Sequence, residues 1–299
     1  MFKHTLLAAS LAFGLTACAE EKTKIVPKLE SQPISIEAGL KGDDWRKIEP
    51  ENLVILTTKY GDVVIELNPE FAPGHVKRFQ DMVKARAYNG KEFYRVIDGF
   101  VAQGGINTKD DKWPPLEIEQ EQPLLEEDVI MPLGNKDLFA EEVGFLNGFA
   151  IGMDIKNESK WLLHCPGALA MARGEDRNTG GTDFYIVLDA QRYLDRNMTT
   201  FGRVISGMQF IQKLKRGDKN VAGGVIQAPD KGDQIISVKL ASELPENEQP
   251  KYEVMRTEKQ AFMNVINSSR VKSDPFFFFT PPQIVDVCDV DVPTEIADF

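Results

Sequence analysis

The sequence predicts an all-β fold, namely a closed antiparallel barrel capped by two helices, with a long insertion and a carboxy-terminal extension. Three observations support this class. Between residues 53 and 240 there are many short runs rich in β-branched and aromatic residues, turn-forming residues separate them, and only two segments carry apolar residues at helical spacing. Many short strands with few helices are typical of a closed sheet. The 299 residues suit one elaborated all-β domain with appendages.

A β-hairpin followed by a helix is predicted at the start of this region. Residues 53–58 and 63–67 are β-rich, and the sequence KYGD at residues 59–62 is a turn signal between them. After Pro73, apolar residues at helical spacing predict an amphipathic helix that ends near Gly90. The apolar positions of this helix are Val76, Phe79, Met82 and Val83.

Six further strands and a second helix are predicted downstream. The predicted strands are residues 93–97, 100–103, 167–171, 184–188, 201–204 and 235–240. The second helix is predicted at residues 208–214. Between residues 106 and 163 the sequence is acidic and contains prolines, so we expect a long insertion that carries short elements.

The segments that flank the barrel region differ from it in composition. Residues 19–52 are polar with scattered prolines, which predicts a tether ahead of a domain at residues 53–244. In the extension, residues 245–299, the sequence TEKQ that starts at Thr257 has the form of a capping box and predicts a short helix. The run Phe276–Phe279 is expected to be buried against the main domain, packing the extension onto the barrel, and an exposed binding patch is the alternative.

A targeting signal is predicted at the amino terminus, over residues 1–18. A short basic start leads into an apolar run from Leu6 to Leu15, which is too short to span a bilayer but suits a signal peptide. The sequence LTAC that ends at Cys18 resembles the bacterial lipobox, in which the cysteine is lipidated, and Ala19 resembles the pattern of outer-membrane lipoproteins. We therefore expect a periplasmic protein, anchored by lipid to the outer membrane. An ordinary signal peptide with a chance cysteine is the alternative.

Charge and residue counts argue against two classes of partner. The net charge of -11 and the pI near 4.9 oppose binding to a phosphate backbone, so no nucleic-acid partner is expected. After signal removal the histidines are His75 and His164, neither with a second ligand at metal spacing, so no metal site is expected.

Outside the lipobox the cysteines are Cys165 and Cys288, which we expect to form a disulfide because export leads to an oxidising compartment. Two buried free thiols are the alternative.

Several motifs occur in the order found in one family. Residues 93–105 read FYRVIDGFVAQGG, with an aromatic pair, an arginine, Gly-Phe and Gln-Gly-Gly at fixed offsets. The later motifs are PGALAMA at residues 166–172, TDFYIVL at 182–188, YLD at 193–195 and FGRV at 201–204. Over residues 53–244, apart from the insertion, the chain resembles the cyclophilin-type peptidyl-prolyl cis-trans isomerases. The resemblance implies an eight-stranded barrel and an enzyme that acts on proline-containing polypeptides.

The resemblance also implies a site. Rotation of an X-Pro amide meets a barrier of about 18 to 20 kcal/mol, because it destroys amide resonance and leaves a lone pair on the prolyl nitrogen. By resemblance, Arg95 is the catalytic guanidinium, Gln103 bonds the substrate backbone, and the main chain at Arg173 pairs with the residue before proline. The other substrate-binding residues implied are Phe100, Val101, Met171, Tyr185, Tyr193 and Leu194. The reaction needs neither metal nor cofactor.

Three positions depart from the family pattern. Met198 stands where the family usually has His, Tyr193 where it often has Trp, and Asp183 where Gln is usual. Two hypotheses therefore stay open: an isomerase that assists the folding of envelope proteins, and a catalytically weak peptide-binding or chaperone module. Phe100 and Leu194 could belong to the barrel core instead of a proline pocket. The acidic insertion could dock a dedicated partner. No sustained heptad predicts a coiled coil, and we expect a monomer.

Overall fold

Three antiparallel β-sheets form the framework of the described chain. The computed structural model describes residues 42–107, 112–270 and 275–297, all within one compact unit, Gly39–Phe299. In chain order the strands are β1 (Trp45–Lys47), β2 (Leu53–Thr58), β3 (Gly61–Leu67), β4 (Glu92–Val96), β5 (Val101–Gly105), β6 (Gln122–Pro123), β7 (Met131–Pro132), β8 (Glu142–Leu146), β9 (Phe149–Asp154), β10 (Ser159–Leu162), β11 (Ala168–Met171), β12 (Phe184–Val187), β13 (Thr199–Ser206), β14 (Asp233–Gln234), β15 (Ser237–Leu240), β16 (Tyr252–Met255) and β17 (Thr294–Ile296). The α-helices are α1 (Pro73–Lys84), α2 (Met208–Ile211) and α3 (Gln260–Ser269). Short 3₁₀ helices span Pro50–Asn52, Arg192–Leu194, Ala222–Gly224, Ala241–Glu243, Glu246–Glu248 and Val287–Asp289.

The largest sheet has nine strands, in the order β14, β4, β5, β12, β11, β13, β3, β2 and β15. The sequence predicted a closed barrel of eight strands; the described residues show the predicted strand-rich, curled sheet, but not a continuous closed barrel. The sheet is curled but open, and β14 and β15 lie at its two edges. The six strands predicted downstream of the hairpin are all present, as β4, β5, β11, β12, β13 and β15, and the predicted second helix is the single turn α2.

One segment, residues 233–240, supplies the strands at both edges of the sheet. The N–H of Ile235 donates to the carbonyl oxygen of Lys91, beside β4, at 2.8 Å. The N–H of the next residue, Ile236, donates to the carbonyl oxygen of Thr57, in β2, at 2.9 Å. The chain therefore crosses from one edge of the sheet to the other at this point. The strand count is nine rather than eight because this one segment contributes two strands, β14 paired with β4 and β15 paired with β2.

The predicted hairpin and helix fill the main core. β2 and β3 pair in antiparallel register, and the four apolar positions predicted on α1 are all buried in this core. The helix ends at Lys84, earlier than the predicted Gly90. Arg86 adopts a left-handed conformation, with φ 59°, and this turn brings Tyr88 against Phe79 with ring centroids 5.2 Å apart.

The insertion forms a five-stranded sheet of its own, in the order β6, β10, β9, β8 and β7. One face of this sheet packs Leu146, Phe149 and Ile151 against Phe71, which comes from the barrel region. The buried Lys160 pairs with Asp128 at 2.5 Å and with Glu70 at 3.1 Å. The insertion is therefore packed tightly on the main domain.

The other face of the insertion packs against the extension. The buried side chains of this second core are Met131, Leu133, Val143, Phe145, Trp161 and Leu163 from the insertion and its end, and Met255, Phe262, Ile266, Val285, Val287 and Val290 from the extension. Phe145 and Phe262 meet edge to face, with centroids 4.9 Å apart. The extension also contacts the barrel, at Val254, but most of its buried surface faces the insertion.

Two expectations for the extension are not met. The side chains of Phe276–Phe279 are exposed rather than buried, and Phe278 is fully so, because other residues of the extension already fill the second core. Thr257 does not cap α3, which begins at Gln260. The Thr257 hydroxyl instead accepts a hydrogen bond from the N–H of Gly148 at 3.1 Å.

Part of the predicted tether is folded. β1 lies inside residues 19–52 and pairs with β16, which pairs in turn with β17. From β1, Arg46 reaches the buried carboxylate of Glu66 at 2.6 Å, and Arg203 donates to the same carboxylate at 3.0 Å. Cys18 and the rest of the predicted signal lie outside the described residues.

Candidate active site

Arg95 lies on β4 and is held by three contacts. Its Nε donates to the carbonyl oxygen of Gly223 at 2.8 Å, and its Nη1 donates to Oε1 of Gln103 at 3.2 Å. Its guanidinium carbon lies 5.4 Å from the centre of the Phe100 ring, in a cation–π contact. These contacts distinguish Arg95 from a solvated arginine on an exposed strand face.

The loop of residues 217–232 runs along β4 and supplies the carbonyl of Gly223. The N–H of Ile226 donates to the carbonyl oxygen of Tyr94 at 2.9 Å. Gly224 has φ 89°, and a Cβ at that position would lie 2.5 Å from the side chain of Ile97, so only glycine lets the loop approach the strand this closely.

A row of hydrogen bonds connects Arg95 to Asp183. The amide Nε2 of Gln103 donates to the Tyr94 hydroxyl oxygen at 2.6 Å, and this hydroxyl donates to Oδ2 of Asp183 at 3.0 Å. A carboxylate can only accept, so Tyr94 must donate to Asp183 and must accept from the Gln103 amide. The amide oxygen of Gln103 then faces Arg95. Asp183 thereby fixes which way round the Gln103 amide sits.

A β-bulge in β4 lets the side chains of Tyr94 and Arg95 both reach Gln103. The pairing of β4 with β5 passes from Glu92–Gly105 to Arg95–Gln103, so β4 contains one extra residue between these pairs. In a regular strand, successive side chains point to opposite faces and only one of the two could reach Gln103.

The surroundings of Tyr94 keep its hydroxyl protonated. Burial raises the pKa of Tyr94, and the negative charge of Asp183 raises it further. Asp183 also accepts the N–H of Asn107 at 3.0 Å. Gly105 has φ 143°, and a Cβ there would collide with the Asp183 side chain. The final glycine of the Gln-Gly-Gly motif therefore makes room for this carboxylate.

An apolar cluster lies next to Arg95, on the face of the sheet opposite the main core. Its buried members are Val101, Ala168, Ala170, Tyr185 and Val187, with Phe100, Ala172 and Met198 half-buried against them. The strand neighbours of these residues, such as Ala102 and Phe184, point into the main core, as strand alternation requires. Phe100 thus packs on this cluster and not in the barrel core.

The other residues implied by resemblance are divided between core and surface. Met171 is buried in the main core, because it alternates with Ala170, so its side chain does not join the apolar cluster. Tyr193 is exposed and Leu194 half-buried, both on the 3₁₀ helix Arg192–Leu194. The guanidinium Nε of Arg173 donates to the carbonyl oxygen of Asn197 at 3.0 Å.

The histidines and cysteines make polar or covalent contacts. His75 Nδ1 lies 2.7 Å from Glu119 of the insertion, and Cys165 and Cys288 are joined in a disulfide with Cα atoms 5.0 Å apart. Over residues 42–107, 112–270 and 275–297, no three His, Cys, Asp or Glu side chains are grouped so that they could hold a metal ion. In the same ranges, none of the helices has the length and apolar character needed to span a bilayer.

Residues 53–240 match the family described as cyclophilin type peptidyl-prolyl cis-trans isomerase/CLD. The match covers more than half of the chain, and the chain belongs to this family. It is a peptidyl-prolyl cis-trans isomerase, which confirms the activity implied by the sequence motifs.

Individual relatives agree with this assignment. A probable peptidyl-prolyl cis-trans isomerase of Brucella suis biovar 1 (strain 1330) is 34% identical over 183 residues, which are 61% of this chain and 81% of the relative. Peptidyl-prolyl cis-trans isomerase B of Bacillus subtilis (strain 168) is 30% identical over 156 residues, 52% of this chain and 85% of the relative. The crystal structure of cyclophilin AquaCyp293 from Hirschia baltica matches with a TM-score of 0.70 and 28% identity, over 85% of this chain and 95% of that one. This structural match therefore extends beyond residues 53–240 into the flanking segments.

Sequence reasoning missed three parts of this site, namely Tyr94, the loop carbonyl of Gly223, and the connection of Asp183 to Arg95. Tyr94 is adjacent to Arg95 in the sequence, but in a regular strand the two side chains would point to opposite faces. Asp183 was noted only as a departure from the family pattern. The bulge that joins these residues depends on strand pairing, which a local pattern does not reveal.

Proposed function

We propose that Arg95 is the catalytic group of this isomerase and that the apolar cluster beside it receives the proline ring. The observation that carries the proposal is the position of the Arg95 guanidinium, fixed by Gly223 and Gln103 while it lies against Phe100. Phe100, with Val101 and Tyr185 behind it, offers the apolar surface, and Leu194 and Tyr193 stand on the neighbouring 3₁₀ helix.

The chemistry follows from the charge that appears when the amide twists. The prolyl nitrogen loses its conjugation and gains a lone pair that can accept a hydrogen bond. A guanidinium carries five N–H donors, and the contacts to Gly223 and Gln103 use only part of this set. A further N–H can donate to the nitrogen of the twisted amide, which stabilises the transition state more than the ground state.

The substrate chain needs contacts on both sides of the proline. Gln103 can donate to the substrate backbone through the amide N–H that is not bonded to Tyr94. We place the residue before proline along the main chain at Arg173, whose guanidinium is tied to Asn197. The proline ring would exclude water from the face of the sheet around Phe100, and this exclusion strengthens the hydrogen bonds from Arg95.

The substitution Arg95→Ala tests the catalytic assignment. It should lower kcat/KM for a short proline peptide by about 10²- to 10³-fold, because it removes a preorganised donor. Peptide binding should fall much less, because Phe100, Val101 and Tyr185 remain. Exchange spectroscopy or a protease-coupled assay measures the rate, since uncatalysed exchange takes tens of seconds.

The matched control is Lys77→Ala, which removes an exposed cation from α1 and should leave the rate unchanged. An Arg95→Ala protein as active as its parent would show that Arg95 does not catalyse the reaction.

We further propose that the enzyme works as a lipid-anchored monomer in the periplasm, at the outer membrane, where it assists the folding of envelope proteins. Support comes from the signal-like segment that ends at Cys18 and from Ala19 after it. An acyl anchor of more than one chain would be needed for stable attachment. Residues 19–41 would then separate the catalytic unit from the membrane surface.

The substitution Cys18→Ser tests the anchor. The parent should sediment with outer membranes and incorporate radiolabelled palmitate, whereas the Cys18→Ser protein should do neither. Glu21→Gln is the matched control, because it changes a residue just after the lipobox and keeps Cys18. Recovery of the parent protein entirely in the soluble fraction would contradict the anchor.

A further inference from the structure

Buried charged and polar side chains connect the insertion to the proposed proline pocket. The connection begins at Asp137, in the turn between β7 and β8. The two carboxylate oxygens of Asp137 accept hydrogen bonds from Nη1 and Nη2 of Arg192, each at 3.0 Å. Both side chains are almost completely buried. A paired, bidentate contact of this kind fixes the orientation of a guanidinium as well as its distance.

The second link joins Arg192 to Asp195. Nε of Arg192 donates to Oδ2 of Asp195 at 2.6 Å. The other oxygen, Oδ1, accepts the backbone N–H of His164 at 2.9 Å and lies 3.0 Å from Nδ1 of the same histidine. Arg192 therefore bridges two carboxylates, one from the insertion and one beside the pocket.

The third link joins His164 to Tyr185. Asp195 is paired with Arg192 and acts as a carboxylate acceptor, so Nδ1 of His164 carries a proton toward it. In the neutral ring, Nε2 is then the acceptor, and the Tyr185 hydroxyl, 3.0 Å away, donates to it. The two rings are stacked, with centroids 6.1 Å apart. The hydroxyl of Thr200 lies 3.4 Å from the same nitrogen.

The pairing at Asp137 is also consistent with the charges that the links require. Burial alone would raise the pKa of Asp137, but hydrogen bonds from Arg192 and from the N–H groups of Phe139 and Ala140 hold it below its ordinary value. Asp137 is thus a carboxylate, and it bonds both its own turn and Arg192.

The network reaches the proposed pocket at two places, the Tyr185 ring and the 3₁₀ helix Arg192–Leu194. Tyr185 is a buried member of the apolar cluster. Arg192 is the first residue of the 3₁₀ helix that carries Tyr193 and Leu194. A buried ion pair contributes little net stability, because desolvation offsets the attraction between the charges. A bidentate pair does fix the relative positions of the groups that it joins. Here it fixes the 3₁₀ helix Arg192–Leu194 and, through Asp195 and His164, the Tyr185 ring.

We propose that Asp137 is a positioning residue for the proline pocket. Through Arg192 it holds the helix that carries Tyr193 and Leu194, and through Asp195 and His164 it fixes the ring of Tyr185. The insertion is then a working part of the substrate site. This inference rests on the proposed function, because it takes the apolar cluster to be the proline pocket.

The test compares three variants of the full chain. Asp137→Asn keeps an oxygen for the N–H groups of Phe139 and Ala140, so the turn is preserved, but it removes the bidentate acceptor. Arg192→Lys keeps the charge but loses the planar fork that bonds both oxygens of Asp137 and, through Nε, Asp195. Glu126→Gln, at an exposed carboxylate in the same insertion, is the matched control.

We expect KM for a short proline peptide to rise about 3- to 30-fold in Asp137→Asn and in Arg192→Lys. The value of kcat should stay within about twofold, because Gly223 and Gln103 hold Arg95 independently of this network. Glu126→Gln should match the parent in both quantities. A purely structural role would lower the thermal midpoint of both variants without changing KM in the folded protein.

A spectroscopic signature gives a second readout. The chain has three histidines, so ¹⁵N-histidine labelling yields few signals, and Tyr185→Phe assigns Nε2 of His164. The His164 signals should move in Asp137→Asn, whereas those of His75, bonded to Glu119, should not. A KM within twofold of the parent in both Asp137→Asn and Arg192→Lys would overturn the proposal, whatever the His164 signals do.

The same series separates this inference from the proposed function. If Arg95→Ala loses activity while KM is unchanged in Asp137→Asn and Arg192→Lys, only the positioning role of Asp137 is wrong. If Arg95→Ala is as active as the parent, the proposed function itself is wrong. Should one of the two network variants not fold, the KM of the other decides the outcome.

Discussion

Asp183 accepts a hydrogen bond from the Tyr94 hydroxyl. This contact sets the donor and acceptor in each hydrogen bond that connects Asp183 to Arg95 through Tyr94 and Gln103. A glutamine at this position could donate as well as accept, so it would not impose that order. Asp183, which at first argued for a weak peptide-binding module, therefore orients the groups beside Arg95. The sequence at position 183 alone does not predict this role, because the role depends on the contact with Tyr94.

The substitution Tyr94→Phe tests the orientation of Gln103. It leaves the ring in place but removes the acceptor for the Gln103 amide, so the amide is held only through its oxygen at Arg95 and can turn away from that position. We expect kcat/KM to fall about 2- to 10-fold, which corresponds to the loss of one neutral hydrogen bond. The exchange assay used for Arg95→Ala measures the change.

The control for Tyr94→Phe is Tyr60→Phe, which removes a different tyrosine-to-aspartate hydrogen bond, the one from Tyr60 to Asp233. It should leave kcat/KM at the parent value. Equal rates for Tyr94→Phe and the parent would show that Gln103 is held without Tyr94.

The insertion and the extension pack against each other, which the sequence did not predict. The sequence predicts each as a separate appendage, yet they share the second core and bury Phe145 against Phe262. The helix α3 was predictable from its local spacing of apolar residues. Its partner was not, because a local pattern identifies a buried face without identifying what buries it. The same limit explains the exposed run Phe276–Phe279, whose composition alone favoured burial.

The disulfide between Cys165 and Cys288 joins the extension to the loop ahead of β11. The cysteines are 123 residues apart, and closing a loop of that length stabilises the folded state by about 4 to 5 kcal/mol in the chain-entropy account. Reduction, or Cys288→Ser, should lower the free energy of unfolding by about that amount in denaturant titrations. Where the protein stays folded, kcat should change little, because neither cysteine lies on β4 or β5.

Thiol titration of the mature protein, denatured without reductant, checks the bond directly. Neither Cys165 nor Cys288 should react. Two reactive thiols from these positions would contradict the bond, and the reduced protein would then unfold at the same denaturant concentration as the untreated one.

At the scale of the whole molecule, the sequence predicts the strands better than their closure. The alternation of side chains and the turn residues are local, so the runs at β2, β3, β4 and β5 could be located in advance. Whether the sheet closes depends on which segments meet at its ends. Here residues 233–240 supply the strands at both edges of the sheet, whereas the local pattern of that segment predicts a single strand. Membership of the family likewise followed from motifs, whereas the network from Asp137 to Tyr185 required the fold.

The second core can form only late in folding, because its two halves come from distant parts of the chain. The insertion is made before β11 to β13 of the main sheet, whereas the side chains that cover its outer face, among them Phe262 and Val287, come from the last part of the chain. During synthesis, Phe145 and Trp161 therefore stay uncovered by the extension while the later strands of the main sheet are made. For that interval the isomerase is itself an incompletely folded chain with exposed apolar surface, the kind of species that is prone to aggregate.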